Sequence, residues 1–230
     1  IGRAVLRALF ERQDAFRLVA INTGTPDPSQ LLSNSAYLLK YDSVHGVWDE
    51  SVEVVEGGLN IGGQCIAVSS YMNPQDCPWG DLGVDVVLEC TGAFTQRARA
   101  ATHLQAGAKK VLISAPASDV DATVVYGVNH HTLKPEHTIV SNASCTTNCL
   151  APVVQVINQT VGVVSGLMNT IHAVTSDQAL ADVEHKDPRR GRAAMLSMIP
   201  TKTGAAKAID LVLPALAGRL DGFAVRVPTA

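Results

Sequence analysis

The feature that most limits the fold lies between Val84 and Ser114, where two apolar runs flank a helical pattern with only short polar breaks. The first run, Val84-Asp85-Val86-Val87-Leu88-Glu89-Cys90, closes on Thr91-Gly92; a helix is expected over Gln96 to Ala106; after Gly107 comes Lys110-Val111-Leu112-Ile113-Ser114. Near-continuous apolar strands suit a parallel sheet covered on both faces. Parallel neighbours need a crossover, here the intervening helix, and such crossovers are right-handed. An α/β fold follows, and in such sheets ligands bind beyond the carboxyl ends of the strands.

The chain before this unit fits the same architecture. Ala4 to Arg12 reads as an amphipathic helix, Phe16 to Ile21 as a strand ending at Asn22-Thr23, and Val52 to Val55 with Ile66 to Val68 as hairpin strands around Gly57-Gly58 and Gly62-Gly63. Beyond it, Val124 to Asn129 and Thr138 to Val140 read as strands. With 230 residues, 47% of them hydrophobic and 17% charged, the chain can bury a sizeable core. A net charge of −3 gives no sign of a nucleic-acid or membrane surface. No apolar run approaches the ~18 residues that span a bilayer, no signal peptide is visible, and five cysteines without a secreted pattern fit a reducing cytoplasm.

Chemistry concentrates at Ser141-Asn142-Ala143-Ser144-Cys145-Thr146-Thr147-Asn148-Cys149, which follows Ile139-Val140 and leads into Leu150, Val153, Val154 and Ile157 at helical spacing. Cys145 thus stands where a strand gives way to a helix. The unpaired N–H groups and the dipole there favour a thiolate, a ready nucleophile. Most cysteines and lone histidines are ordinary packing residues; the hydroxyls and amides crowding this one set it apart. A helix of about 16 residues at ~1.5 Å each is retraced by a strand of seven or eight at ~3.3 Å each, which brings His172 back beside Cys145. Cys149 lies one turn on and is expected to be a packed neighbour. Cys145 with Cys149, and the adjacent His130-His131, lack further partners at metal-binding spacing, so no metal is expected.

These motifs carry a family resemblance. S-N-A-S-C-T-T-N-C, T-I-H-A-V-T-S-D-Q, H-K-D-P-R-R-G-R-A-A, I-P-T-K-T-G-A-A-K-A and A-V-R-V-P-T resemble, in order and spacing, phosphorylating glyceraldehyde-3-phosphate dehydrogenases. The related erythrose-4-phosphate dehydrogenases share the cysteine segment and stand as an alternative, as does a non-catalytic nucleotide-binding homologue. The resemblance implies a Rossmann-type doubly wound NAD(P)-binding domain, residues 1–144, followed by an α+β catalytic domain with a mixed or antiparallel sheet, residues 145–230. It also implies that the first strand and most of the glycine loop, and about a hundred residues at the other end, lie outside this sequence.

The implied chemistry is oxidation of a phosphorylated aldehyde with inorganic phosphate and NAD or NADP, with Cys145 as nucleophile and His172 as base. By the same resemblance Arg226 and Thr175 grip the substrate's phosphate, Ser144, Arg190, Thr203 and Gly204 take inorganic phosphate, and Thr146 belongs to the same substrate- and phosphate-binding set. Ile1, Gly2, Asn22, Thr23, Met72, Thr91, Gly92 and Ser114 would contact the dinucleotide. Asn22-Thr23 stands where NAD-dependent members carry an acid that binds the ribose hydroxyls, and losing that carboxylate removes a repulsion against a 2′-phosphate, which opens the site to NADP. The connection from Thr23 to Tyr37 also looks longer than usual in that family. A cytoplasmic homotetramer is the implied assembly.

Overall fold

The computed structural model describes residues 1–24 and 30–229. Part of the long connection after Thr23 therefore lies outside the described residues. The chain forms two compact units, Ile1–Ala122 with Pro135–Ser141, and Thr123–Lys134 with Asn142–Ala230.

The first unit runs α1 (Gly2–Phe10), β1 (Ala20–Asn22), α2 (Leu31–Lys40), β2 (Tyr41–Asp42), β3 (Gly46–Val47), β4 (Val52–Val55), β5 (Gly58–Ile61), β6 (Gln64–Ser69), β7 (Val86–Glu89), α3 (Arg97–Gln105) and β8 (Lys110–Ile113). The short β9 (Ala122–Thr123) and then β10 (Ile139–Ser141) follow. Leu6 and Phe10, one helical turn apart, bury the inner face of α1 against Leu39, Leu59, Ile61 and Ile66. β1 pairs in parallel with β6, and β4, β5 and β6 form an antiparallel meander. β7, β8 and β10 form a second, parallel ladder, with Val87 opposite Val111 and Val111 opposite Ile139. The α3 crossover covers it, Ala100 packing with Val111, Ile113 and Ile139. Val19 and Ala20, at the start of β1, pack against the cluster of Trp79, Val84 and Val87.

The second unit adds α4 (Cys145–Thr160), β11 (Gly166–His172), β12 (Ile199–Thr201), α5 (Ala205–Val212) and β13 (Leu220–Arg226). β13 is central, parallel to β11 and antiparallel to β12, so the sheet is mixed. Ala151 and Val154 of α4 and Ile209 and Val212 of α5 form its core with Leu216, Val125 and Val128. Each fully buried aliphatic side chain of this kind contributes roughly 1.5–3 kcal/mol.

Two strands differ from expectation. Phe16–Ile21 enters a ladder only from Ala20. Val124–Asn129 is a turn rather than a strand, because Asn129 replaces the ladder: its Oδ1 accepts the Val125 N–H at 2.8 Å and its Nδ2 donates to the Thr123 carbonyl at 2.9 Å. That fold tucks Val125 and Val128 into the second unit's core.

Candidate active site

Ser144 caps α4, its Oγ accepting the Thr147 N–H at 3.0 Å, and Cys145 is the first helical residue. Asn148 braces the entry from inside the first turn, donating to the carbonyls of Asn142 at 2.7 Å and Ser144 at 2.9 Å. Ala143 adopts a left-handed backbone, φ 58°, which turns the chain sharply out of β10 before the cap. This leaves Cys145 exposed at the helix mouth, with Thr146 beside it in the first turn. Cys149, expected to pack inside, is exposed instead.

His172 ends β11, and its Nε2 lies 3.3 Å from Cys145 Sγ. Its Nδ1 lies 2.8 Å from the Ala173 carbonyl. A carbonyl only accepts, so Nδ1 carries the hydrogen, and in the neutral ring Nε2 keeps the lone pair that faces the sulfur. A base aimed at a nucleophile and oriented from behind is the arrangement that thiol activation requires.

Arg226 is the register partner of His172 across the parallel β11–β13 pair. Its Nη1 donates to the same Ala173 carbonyl at 3.2 Å and to Thr175 Oγ1 at 2.8 Å, while its buried Nε makes no hydrogen bond. Burial and then the like charge of Arg190 lower the affinity of Arg226 for its proton. An orphaned cationic donor in such a place suits an anion.

Arg190 is held from three sides, by Asp177 Oδ2 at 2.7 Å, Thr201 Oγ1 at 2.9 Å and the Lys202 carbonyl at 3.3 Å. His185 Nε2 approaches the other oxygen of Asp177 at 3.4 Å. Burial raises the Asp177 carboxyl, but the bonds from Arg190 and His185 outweigh it and hold it below the ordinary value. Asp187 forms a fork with Arg189, both bonds at 2.9 Å, which keeps its carboxyl well below the usual range. Asp177, His185, Asp187, Arg190 and Thr201 line a depression of about 560 Å³. Sequence reasoning singled out Arg190 and missed Asp177 and His185, although both lie inside the quoted motifs. Thr203 and Gly204 stand at the start of α5, where Thr203 Oγ1 accepts the Ala205 N–H at 3.2 Å and the space beside the Gly204 α-carbon is open.

The residues expected to meet a dinucleotide all lie in the first unit. Asn22 ends β1 with its side chain committed to Tyr71, donating to that carbonyl at 2.9 Å and accepting its N–H at 2.8 Å; Thr23 beside it is exposed. Thr91, Gly92 and Ser114 follow the carboxyl ends of β7 and β8, Gly92 with φ 74° and open space where a side chain would stand. Ile1 and Met72 are exposed, at 77% and 66%. Gly2 opens α1, and a β-carbon there would stand 3.3 Å from that of Cys90. A helix start packed closely on a parallel strand, with bare backbone at the strand ends, fits a dinucleotide. Among the described residues no three His, Cys, Asp or Glu side chains group as metal ligands, and no helix is long and apolar enough to cross a membrane.

Comparison with known proteins gives two family matches: residues 1–97 match the glyceraldehyde 3-phosphate dehydrogenase NAD binding domain, and residues 144–230 the C-terminal domain of the same family. The chain is 59% identical over 230 residues to a glyceraldehyde-3-phosphate dehydrogenase of Pseudomonas aeruginosa, covering 99% of this chain and 67% of the relative. It is 56% identical over 232 residues to the plasmid-encoded enzyme of that name from Cupriavidus necator, covering 100% and 68%. With the enzyme of Geobacillus stearothermophilus the identity is 52% over 230 residues, covering 100% and 67%.

Proposed function

The chain belongs to the glyceraldehyde-3-phosphate dehydrogenase family, and from that premise we propose that it oxidises glyceraldehyde 3-phosphate, with inorganic phosphate, to 1,3-bisphosphoglycerate. The observation that carries this reading is the 3.3 Å approach of His172 Nε2 to Cys145 Sγ at the mouth of α4. Sγ attacks the aldehyde carbon while Nε2 takes the thiol proton and passes it to the carbonyl oxygen, giving a neutral thiohemiacetal and freeing the imidazole to act again as base. The N–H groups of the first turn of α4 face the oxyanion formed in the attack. A bound nicotinamide dinucleotide supplies the hydride acceptor. His172 removes the hemiacetal proton as the carbonyl re-forms. A phosphate oxygen then attacks the thioester carbon, and Sγ departs as the thiolate.

Arg226 and Thr175 are assigned to the substrate's phosphate, supported by the unpartnered Arg226 Nε. Arg190, with Ser144, Thr203 and Gly204, is assigned to inorganic phosphate, and Thr146 to the same substrate- and phosphate-binding set. Ile1, Gly2, Asn22, Thr23, Met72, Thr91, Gly92 and Ser114 are assigned to the dinucleotide. We assign residues 1–144 to cofactor binding and 145–230 to catalysis, with NAD or NADP as the cofactor, because Thr23 brings no carboxylate to repel a 2′-phosphate. A cytoplasmic homotetramer is the proposed assembly. It is supported by the outer face of the β11–β13 pair, where Leu167, Ile171 and Phe223 are 76%, 64% and 42% exposed.

The test is a pair of variants. Cys145→Ser abolishes turnover and leaves dinucleotide affinity intact; His172→Asn lowers both kcat and the rate of Cys145 alkylation at neutral pH by about 10²-fold or more. Dehydrogenase activity surviving in Cys145→Ser refutes the scheme.

A further inference from the structure

A buried polar chain sits at the carboxyl end of β7, and the mechanism above makes no use of it. Glu89, the last residue of β7, is 4% exposed within an otherwise apolar strand. Its Oε2 lies 3.1 Å from His103 Nε2 on α3, and His103 Nδ1 lies 3.1 Å from Trp79 Nε1. An indole N–H only donates, so Nδ1 is an acceptor and Nε2 carries the hydrogen toward Glu89. The imidazole is therefore neutral, and the one charge in the chain is the carboxylate. Burial disfavours that charge, but the bonds from His103 and Thr91 more than offset it and hold the Glu89 carboxyl below its ordinary value.

The other oxygen of Glu89 faces the turn. Oε1 accepts the Thr91 N–H at 2.7 Å and also the Thr91 hydroxyl. With its proton spent there, Thr91 Oγ1 accepts the Ala93 N–H at 3.1 Å, and the chain leaves the sheet through Gly92 in a left-handed conformation. The Glu89 carbonyl meanwhile accepts the Ser114 N–H at 3.0 Å. The carboxylate thus fixes the turn beyond β7, while the main chain of the same residue joins it to the backbone beyond β8. An apolar side chain at this strand end would avoid the desolvation cost of a buried carboxylate, so stability alone does not explain it.

We propose that Glu89 is a positioning residue for the nicotinamide end of the dinucleotide, its carboxylate holding the Thr91–Gly92 turn, beside Ser114, in the geometry that receives that ring. The proposal rests on the assignment of Thr91, Gly92 and Ser114 made above, and it adds the buried Trp79–His103–Glu89 chain as the support behind them. Glu89 works through the turn and touches neither substrate nor cofactor.

Glu89→Gln is the informative change. A glutamine has one carboxamide oxygen to set against two groups of donors, His103 Nε2–H on one side and the Thr91 N–H and hydroxyl on the other, so one side loses its acceptor. Affinities for NAD and for adenosine diphosphoribose, which lacks the nicotinamide, are measured by calorimetry on the complete enzyme. We expect NAD binding to weaken roughly tenfold while adenosine diphosphoribose changes by less than about twofold, the scale of one compromised hydrogen bond. KM for NAD rises more than kcat falls. His103→Asn, which withdraws the Nε2–H donor from Glu89 and leaves the side chains of the turn in place, shifts the same ratio about threefold and decides the matter if Glu89→Gln does not fold. Equal weakening of both ligands, or no change in their ratio, overturns the proposal. Gly92→Val separates the two levels of the argument, because at φ 74° a β-branched residue strains the turn itself and puts a side chain into the open space beside it. If it shifts the ratio and the other two variants do not, Glu89 has no positioning role. If it leaves both ligands unaffected, the nicotinamide does not lie at this turn, and the assignment of the turn falls together with the proposal.

Discussion

Gly191→Ala tests how tightly the Arg190 loop is held. A β-carbon at Gly191 would stand 2.4 Å from the Val183 carbonyl oxygen, about 1 Å inside ordinary van der Waals contact, with the His185 β-carbon at 3.3 Å and the Pro188 carbonyl at 3.4 Å. The obstacle is backbone that also bonds back, since the Val183 N–H donates to the Gly191 carbonyl at 2.9 Å. The strain therefore cannot be relieved by a side-chain rotation, and the segment must move. Overpacking of this kind costs ~1–3 kcal/mol. Arg190 is the adjacent residue, and its bonds to Asp177 and Thr201 are 2.7 and 2.9 Å. A displacement near 1 Å stretches them beyond hydrogen-bonding range, and misplacement on that scale costs up to about 10²-fold in rate. We expect the KM for inorganic phosphate to rise about 10- to 100-fold in steady-state assays, with NAD affinity unchanged because the dinucleotide residues lie in the other unit. An unchanged phosphate KM in a folded variant refutes the assignment of Arg190; a parallel loss of NAD affinity shows a general loosening instead.

Two further outcomes follow from the charges. Burial opposes ionisation of Asp121, but the N–H groups of Ile139 and Thr138 and the Arg97 guanidinium overcome it and hold this carboxyl far below its usual range. A depressed carboxylate contributes stability at pH above its unfolded value of ~3.9 and loses it as pH falls toward the folded value. Asp121→Asn therefore lowers the melting temperature at pH 7 and flattens its decline below about pH 4; an unaltered acid slope refutes this. Because Asp121 is partly open to solvent, the effect is discounted for screening. Thr23→Asp shifts cofactor preference toward NAD by repelling a 2′-phosphate, read as the ratio of kcat/KM for the two dinucleotides; an unmoved ratio contradicts the reading of this position.

The strand-to-helix junction at Cys145 was legible because both periods are strong on either side of it. The approach of His172 followed from lengths alone: α4 has 16 residues and β11 has 7, or about 24 Å out and 23 Å back. The parallel ladder of β7 and β8 was legible for the same reason. What escaped was side-chain hydrogen bonding across long separations. Asn129 looked like a strand end because its competition for the Val125 and Thr123 backbone leaves no periodic mark. The Asp177–Arg190–His185 group lies in irregular loops, where spacing carries no information on contact. Glu89 was visible as a charged residue in an apolar run, but His103 and Trp79 become its partners only through the packing of α3.

The in-register pairing of His172 with Arg226 has a consequence for how this pocket evolves. On the roles proposed here, the point where the aldehyde reacts and the point where the far phosphate is gripped are mounted on neighbouring strands at the same level, so their separation works as a fixed gauge of substrate length. Sliding one strand by a single residue would turn each of its side chains to the opposite face. A longer or shorter sugar phosphate is therefore accommodated by exchanging side chains around the gauge, never by resetting it.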